Sequence, residues 1–247
     1  MRIIITFQAE REVGLPIHYN HILQGFIYNN LSDYDYRRFL HEEGYQYEKR
    51  KFKLFTFSRL EGRFRMERER RRIFFDSPFR LVVSSAVDKF ITDLAETLIR
   101  AELLTMGRNV VEVSGISVQK DPDFTDKLQI KMISPMVTYS TIEENGQKTT
   151  HYYSPWSSQF SEHTRNNLIK KHQLIHGSFP STDQFTIFPN GNRERDFRRI
   201  ISFKGNPVSA WAGIYWLVGN PELIKVAYHT GLGSKNSQGF GCFEVVR

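Results

Sequence analysis

The sequence predicts an α+β protein made of two tandem ferredoxin-like (RRM-like) domains. One observation is the order of predicted elements in the first half, which runs strand, helix, strand, strand, helix, strand. A second is that the other half repeats this order more loosely. A third is a charged, proline-bearing turn at residues 120–123, which carries no apolar pattern. We therefore expect an N-terminal domain over residues 1–119 and a C-terminal domain over residues 124–247.

The first elements are a strand and two helices. Residues 2–8 alternate as a strand does, and a helix follows Pro16 because apolar residues recur at helical spacing. Those apolar residues are Tyr19, Ile22, Leu23, Phe26, Ile27 and Leu31. A short second helix is predicted from Ser32 or Asp33 to Gly44. The alternating segment 53–58 is then predicted to be a strand.

The rest of the first half adds strands around one long helix. Strands are predicted at residues 72–76 and 79–83, after an arginine-rich turn. A helix is predicted over residues 88–106, with Gly107 as its C-cap. Its apolar face consists of Phe90, Ile91, Leu94, Leu98, Ile99 and Leu103. Residues 110–118 complete the domain as a strand.

The second half shows the same kinds of signal. Its predicted elements are a strand at 128–133, a hairpin over 139–153 around Glu144-Asn145-Gly146, a helix within 157–176, strands at 185–188 and within 200–218, a helix at 221–228 and a last strand at 243–246. We find no short tandem repeat and no low-complexity segment. Two domains of similar design are the simplest architecture.

Composition narrows the class of partner and the compartment. The chain has 34 Lys and Arg against 27 Asp and Glu, and a net charge of +7 favours a polyanion such as nucleic acid. The single cysteine, Cys242, excludes an intramolecular disulfide and a cysteine-based zinc site, and we expect it to be buried. The amino terminus has a strand pattern rather than a signal peptide, and no apolar run is long enough to cross a membrane. We expect a cytoplasmic protein.

A glycine-rich loop at residues 231–241 precedes the last strand. Its glycines allow positive φ and a close approach to a bulky ligand, and its polar side chains supply donors for phosphate and ribose oxygens. These candidate binding residues are Gly231, Gly233, Lys235, Asn236, Ser237, Gly239 and Gly241. The loop fits neither the dinucleotide fingerprint nor the Walker spacing, and ordinary turn chemistry remains an alternative.

Five segments of the chain carry a resemblance to a known family. They are Gln24-Gly-Phe-Ile-Tyr28, Phe39-Leu-His-Glu42, Lys53-Leu-Phe-Thr-Phe-Ser58, Ile133-Ser-Pro-Met136 and the glycine-rich loop. Together they resemble the CRISPR-associated endoribonucleases of the RAMP superfamily, which process repeat-containing precursor RNA. The resemblance spans the whole chain. It implies a monomer or homodimer that binds CRISPR repeat RNA, as precursor and processed guide, in association with an effector complex or alone.

The resemblance also implies a reaction and a catalytic set. Cleavage within the repeat uses a ribose 2′-hydroxyl as nucleophile and no metal or organic cofactor, and it leaves 5′-hydroxyl and 2′,3′-cyclic phosphate ends. Carried over by motif, the catalytic residues are Tyr28, His41 and Lys53, all in the N-terminal domain. The glycine-rich loop belongs to the C-terminal domain.

The residue types suit these roles. A histidine can act as acid or base near neutral pH, and a lysine at the start of a strand can stabilise charge on a phosphorane. Tyr28 falls off the apolar stripe of its helix, so we expect its hydroxyl to point away from the core. Lys51 is an alternative to Lys53, because it lies two residues earlier on the same strand face. A surface histidine, a half-buried structural tyrosine and ordinary strand-flanking lysines are the competing interpretations.

An arginine-rich segment at residues 59–72 is a second candidate RNA-binding region. The arginines that we assign to RNA phosphates are Arg63, Arg65, Arg68, Arg70, Arg71 and Arg72. Three glutamates in the segment are too few to neutralise them, although a solvated hairpin is the simpler alternative. A second cluster lies in the other half, at Arg193, Arg195, Arg198 and Arg199.

The histidines do not indicate a metal site. His172 and His176 have i,i+4 spacing but lack the glutamate of a zinc-protease motif, so we predict no metal site.

Two other functions compete with the endoribonuclease. A non-catalytic RNA-binding module and a structural subunit of a guide-RNA complex would share the fold and the basic surface.

Overall fold

Two antiparallel sheets, each packed against two helices, organise the chain. The computed structural model describes residues 1–144 and 146–246. Asn145, which the sequence places in the turn of the hairpin over 139–153, and Arg247 lie outside the described residues.

The N-terminal half contains three α-helices and nine strands among these residues. The helices are α1 Asn20–Asn29, α2 Tyr34–Arg38 and α3 Asp88–Arg100, and a π-helical turn, Phe39–Glu43, follows α2. The strands are β1 Arg2–Gln8, β2 Val13–Pro16, β3 Tyr45–Tyr47, β4 Arg50–Phe52, β5 Phe55–Phe57, β6 Glu61–Glu67, β7 Arg72–Ser85, β8 Leu104–Met106 and β9 Asn109–Val118.

The C-terminal half contains three α-helices and eight strands among the described residues. The helices are α4 Ser158–His176, α5 Glu194–Phe197 and α6 Pro221–Thr230. The strands are β10 Lys127–Met132, β11 Tyr139–Glu144, β12 Gln147–Tyr152, β13 Phe185–Pro189, β14 Arg198–Phe203, β15 Asn206–Trp211, β16 Ile214–Gly219 and β17 Phe243–Val245.

Both halves have the ferredoxin-like sheet. In the first, β7 pairs with β1 and β5, and β1 pairs with β9. In the second, the order across the sheet is β13, β16, β10, β17. Each βαββαβ unit has four strands, which along the chain are β1, β5, β7 and β9 in the first half and β10, β13, β16 and β17 in the second. If these strands are numbered 1 to 4, both sheets have the order 2-3-1-4, which confirms the predicted fold class.

Local sequence explains the central elements of each sheet. β1 alternates, so Ile3, Ile5 and Phe7 are buried while the strand pairs on both edges. α6 begins after Asn220, whose side chain accepts a hydrogen bond from the backbone of Glu222. Pro221 then occupies the first helical position, where a missing N–H costs nothing.

The predicted helix over residues 88–106 is too long. α3 ends at Arg100, and Ile99 and Leu103 are 68% and 64% exposed instead of facing the core. Residues 104–106 form β8 instead, because the pairing of Leu104 with Val111 buries Leu104 and Met106 with a period of two. Gly107 therefore belongs to the turn between β8 and β9 rather than to a helix C-cap.

The strands around the arginine-rich segment also differ from the prediction. Segment 53–58 contains only the short β5, because Leu54 has a φ of +55° and breaks the strand from β4. The strands predicted at 72–76 and 79–83 form one continuous strand, β7. The edge strand β6 precedes it; its exposed side chains lack the alternation by which we recognise strands.

Each half has its own hydrophobic core. One cluster of buried residues runs from Ile3 to Val111, and another runs from Ile130 to Phe243. This distribution supports a division near residues 120–123, which stays a prediction. Arg2 links the halves, because its buried guanidinium donates to the backbone oxygens of Tyr228 and Phe243 at 2.7 and 2.9 Å.

Candidate active site

The π-helical turn Phe39–Glu43 presents an exposed histidine. Leu40 is fully buried and anchors the turn, whereas the next side chain, His41, is exposed. The turn ends at Gly44, which has a φ of +72° and donates its N–H to the backbone oxygen of Phe39 at 2.7 Å. A Cβ on Gly44 would lie 2.5 Å from the backbone oxygen of Phe52, so only glycine allows this close approach.

Two lysines from the segment β4–β5 bind this turn. The ammonium of Lys53 donates to the backbone oxygen of His41 at 3.3 Å, and that of Lys51 donates to the backbone oxygen of Glu42 at 3.2 Å. Lys53 lies between the two strands rather than at the start of one, and it is half-buried while Lys51 is exposed. Burial, followed by repulsion from Lys51, lowers the pKa of Lys53, and Glu43 partly opposes this shift.

Tyr28 approaches the same turn from the last part of α1. Its hydroxyl lies 3.5 Å from the backbone oxygen of Leu40, and its ring packs edge-on against the ring of His41, with centroids 5.9 Å apart. The expectation that the hydroxyl points away from the core is wrong, because Tyr28 is only 7% exposed. Burial raises the pKa of its hydroxyl above the usual range, which disfavours a role as a base.

The three residues assigned to catalysis therefore lie together, and they adjoin a basic cleft between the two halves. The cleft has a volume of about 450 Å³, and its N-terminal wall includes Lys51 and Lys53. The C-terminal wall includes Asn167 and Lys171 of α4 and Lys235 of the glycine-rich loop. A concave site lined by several cations suits a phosphate-bearing ligand.

The glycine-rich loop is held mainly by contacts within the protein. A Cβ on Gly233 would lie 2.3 Å from the backbone oxygen of Val137, and one on Gly241 would lie 2.1 Å from that of Leu232. The amide of Asn236 donates to the backbone oxygens of Leu232 and Phe240 at 3.0 and 3.1 Å. These contacts commit the two glycines and the amide NH₂ of Asn236 to the packing of the loop, although Asn236 also lines the cleft, and the assignment of the loop residues to RNA binding stays a prediction.

The N-terminal half holds the loop from the other side. Asn20 donates to the backbone oxygen of Gly239 at 2.9 Å, Gln24 donates to that of Ser237 at 2.8 Å, and Thr56 donates to that of Phe240 at 3.0 Å. The loop is therefore part of the contact between the halves. It presents Lys235, Ser237 and Gln238 to the cleft, and its glycines fix its path.

Lys171 is a buried cation that the motifs did not indicate. It is 2% exposed, and its ammonium donates to the backbone oxygens of Gly231 and Gly233 at 2.7 and 3.4 Å and to Oδ1 of Asn236 at 2.8 Å. Burial lowers its pKa to about 7. A lysine at helical spacing from Thr164 and Leu168, on the buried face of α4, is the sequence signal that could have found it.

The arginine-rich turn, residues 68–72, lies at the other end of β7 from this corner. β7 runs from Arg72, beside the arginine-rich turn, to Ser85, which pairs with β5. Fourteen extended residues place the two ends up to roughly 40 Å apart. The arginines at the Arg72 end of β7 are therefore distant from the strand β5 that adjoins Lys53, whereas Arg63 lies beside the middle of β7.

Arg59 is bound inside the protein, because it donates to Oδ1 of Asn20 and to the backbone oxygen of Ile17 at 2.7 and 3.0 Å, and the six arginines assigned to RNA fall into two groups. Arg65 is bound by Glu12 and Glu67 and stacks over Phe74, Arg72 donates to the backbone oxygen of Gly14 at 3.0 Å, and Arg70 lies 3.6 Å from Glu67. Arg63, Arg68 and Arg71 are exposed, and their guanidinium groups have no hydrogen-bond partner within residues 1–144 and 146–246. These three are the arginines available to an external anion.

Two further results concern the whole described chain. No helix of residues 1–144 and 146–246 has the length and apolar character needed to cross a membrane. The same residues contain no cluster of three or more His, Cys, Asp or Glu side chains arranged to hold a metal ion. Cys242 is fully buried, as the sequence predicts.

Fold and site define a class of protein: a tandem ferredoxin-like protein with a histidine-bearing turn beside a basic cleft. The family model described as CRISPR associated protein Cas6, C-terminal, matches residues 119–245, and the one described as CRISPR-associated protein Cas6, N-terminal, matches residues 14–117. The chain therefore belongs to the CRISPR-associated Cas6 family, which confirms the family that the motifs indicate.

Individual relatives match over nearly their whole length. The CRISPR-associated endoribonuclease Cas6 1 of Methanocaldococcus jannaschii is 28% identical over 98% of this chain and 91% of its own. The CRISPR-associated endoribonuclease Cas6 of Pyrococcus furiosus is 25% identical over 99% of this chain and 90% of its own. A solved structure described as CRISPR associated protein Cas6 is 26% identical, with a TM-score of 0.81, over 100% of this chain and 99% of that chain.

Proposed function

We propose that the protein is an endoribonuclease that cleaves CRISPR precursor RNA within its repeats to yield guide RNAs. The observation that carries the proposal is the meeting of Tyr28, His41 and Lys53 at one corner of a basic cleft. The names of its relatives, both endoribonucleases, support the reaction class.

The proposed reaction is attack of a ribose 2′-hydroxyl on the adjacent phosphate. The 2′-oxygen forms a bond to phosphorus, and the bond to the 5′-oxygen of the next nucleotide breaks. The 2′-hydroxyl proton is lost and the leaving 5′-oxygen gains a proton, so the products carry a 2′,3′-cyclic phosphate and a 5′-hydroxyl. Because the nucleophile belongs to the substrate, the protein has to supply only orientation, proton transfer and charge stabilisation.

Each role falls to a residue whose environment suits it. His41 is the main proton-transfer group of this reaction, since its imidazole is exposed at the surface and is carried by the turn Phe39–Glu43. Lys53 stabilises the charge that develops on the phosphorane, because its ammonium is half-buried at the wall of the cleft. Tyr28 orients the ring of His41 through their edge-on contact and does not act as a base.

Binding extends beyond the cleft. Lys235 and Ser237 face the cleft beside the catalytic corner, while Arg63, Arg68 and Arg71 form a separate cationic surface. A polyanion that reaches both surfaces must be extended or folded over tens of ångströms, which suits a repeat RNA better than a small phosphate ligand.

The test is incubation of the purified protein with a repeat-containing transcript in excess chelator. We expect cleavage at one position in each repeat, with a cyclic phosphate upstream and a 5′-hydroxyl downstream, at a rate that the chelator does not change. Tight binding without cleavage would instead support the non-catalytic RNA-binding module.

A further inference from the structure

Three side chains of α4 carry an enclosed polar atom that has no hydrogen-bond partner among the described residues, namely Nε of Arg165, Oδ1 of Asn167 and Oε1 of Gln173. Asn167 is the one of these three that lines the basic cleft. The other buried polar residues of the helix are bonded: Thr164 to Phe160 and Thr138, Lys171 to the glycine-rich loop, and His172 to Ser178. Asn167 lies one turn before Lys171 and is 7% exposed, yet its Oδ1 is enclosed and unpaired within residues 1–144 and 146–246. Buried polar groups are nearly always hydrogen-bonded, so this one requires an explanation.

The explanation lies in the cleft. Asn167 lines it, and so does Gln238, whose Oε1 is the second enclosed amide oxygen there without a partner among the described residues. Tyr139 lines the same cleft, and the ammonium of Lys235 lies 5.1 Å from its ring centroid. The cleft therefore combines cations, an aromatic ring and two amides whose oxygens lack donors.

We propose that this cleft is a nucleotide subsite selective for adenine, in which Asn167 reads the base. The inference rests on the proposed function and adds the identity of a base to it. The backbone phosphate binds Lys51, Lys53 and Lys235 at the rim, and the base enters beside Tyr139, where an aromatic face can stack on it.

Adenine fits the amides because it carries a donor, the 6-amino group, next to a ring nitrogen that accepts. A carboxamide pairs with that edge through two hydrogen bonds, which is how asparagine and glutamine recognise adenine elsewhere. The two hydrogens of the 6-amino group match the two unpaired oxygens of Asn167 and Gln238. The terminal torsion of asparagine is soft, so Asn167 can turn its oxygen and its NH₂ towards the base. Uracil has no exocyclic amine to offer. Cytosine presents the same donor and acceptor, but its single ring stacks on Tyr139 over a smaller area than the two rings of adenine.

The test is equilibrium binding of 2′-O-methyl hexanucleotides, which cannot react through a 2′-hydroxyl. Three hexamers are compared, built from adenosine, from purine riboside, which is adenosine without its 6-amino group, and from uridine. We expect the wild-type protein to bind the adenosine hexamer about tenfold more tightly than the purine hexamer, since both stack but only one pairs. The uridine hexamer should bind least tightly.

The variants assign that preference to one side chain. In Asn167→Ala the ratio between the adenosine and purine hexamers should fall to within about twofold. Asn166→Ala is the matched control, because Asn166 is the exposed neighbour on the same helix, and it should retain the wild-type ratio.

Two results would overturn the inference. One is equal binding of the adenosine and purine hexamers, or tighter binding of uridine, by the wild-type protein, which decides the matter even if Asn167→Ala fails to fold. The other is a preference for adenosine that survives in a folded Asn167→Ala protein. Neither result touches the proposed cleavage, because the hexamers are not substrates for it.

Discussion

The turn Phe39–Glu43 and the glycine-rich loop at 231–241 look equally functional in the sequence, but the structure treats them differently. The turn exposes His41 and contacts the rest of the protein mainly through Leu40 and through the lysines that bind its backbone. The loop is largely buried and is bonded by both halves of the chain. The difference teaches that a loop can require glycines because the rest of the protein packs closely against its backbone, and not because a ligand does.

This contrast divides the proposed machinery into a chemical part and a supporting part. Changes to the exposed side chain of His41 in the turn should alter the cleavage rate and leave stability intact. Changes in the loop should alter stability, and through it the position of Lys235 and of the cleft wall. The following predictions test that division, from the largest expected effect to the smallest.

His41→Ala should lower the cleavage rate by about 10² to 10⁴, because the proton-transfer group is lost. RNA affinity should stay within a few fold, and the melting temperature should not change, since the side chain is exposed. Single-turnover cleavage, binding and thermal unfolding measure the three quantities. His176→Ala, at another exposed histidine, is the control and should cleave normally. Undiminished cleavage by His41→Ala would remove His41 from the reaction.

Gly241→Ala should destabilise the protein much more than Gly177→Ala. Both glycines have positive φ, +82° and +71°, which costs an alanine roughly 1–2 kcal/mol at either position. Only at Gly241 does the new Cβ meet a backbone oxygen, that of Leu232, whereas no atom lies within 4 Å at Gly177. Overpacking should add about 1–3 kcal/mol to the loss in the free energy of unfolding. If denaturant unfolding showed equal losses in the free energy of unfolding for the two variants, the loop would be able to shift and accept the new Cβ at little cost.

Lys53→Ala should slow cleavage about 10², and Lys51→Met should instead move the pH profile. Lys53 acts as a cation, so the rate falls when it deprotonates at alkaline pH. Lys51 repels that charge and lowers the pKa of Lys53, so its removal raises this pKa and moves the alkaline fall in rate to higher pH. If Lys51→Met abolishes cleavage while Lys53→Ala retains it, the roles of the two lysines are exchanged.

Arg63→Ala and Arg68→Ala should each weaken binding of repeat RNA and flatten its salt dependence. Each removes one exposed cation, so the slope of log affinity against log salt should fall by about 0.7 for single-stranded RNA. Arg65→Ala is the comparison, because Glu12 and Glu67 already engage that guanidinium. It should change the slope little. If all three variants and the wild type had the same slope, the arginine-rich segment would be a solvated hairpin that does not contact RNA.

Patterns with a clear period predicted most of the fold. The alternation of β1, the helical stripe of α3 and the spacing of α4 all reflect burial on one face, which sequence records directly. The predictions were wrong where the buried residues of an element do not follow its structural period. β6 is exposed on both faces, and the end of α3 carries apolar residues that remain in solvent.

The candidate site was predictable in part. Motif resemblance indicated Tyr28, His41 and Lys53, which lie together in the structure, and their catalytic roles stay a prediction. Sequence could not show that Lys171 donates hydrogen bonds to the glycine-rich loop, because the two segments lie about 60 residues apart in the chain. It could not show that Oδ1 of Asn167 has no partner among the described residues, because that depends on every segment packed around it. Long-range pairing of this kind leaves no local period.

The most direct test of the central claim is cleavage of a repeat RNA that carries one 2′-deoxyribose just upstream of the scissile phosphate, assayed with and without chelator. We predict that this RNA binds with nearly unchanged affinity but is not cut at that bond, whereas the all-ribose RNA is cut at the same rate in either condition. Cleavage of the deoxy-substituted RNA at the same bond, or a loss of activity in chelator that magnesium restores, would contradict the account, because water would then be the nucleophile.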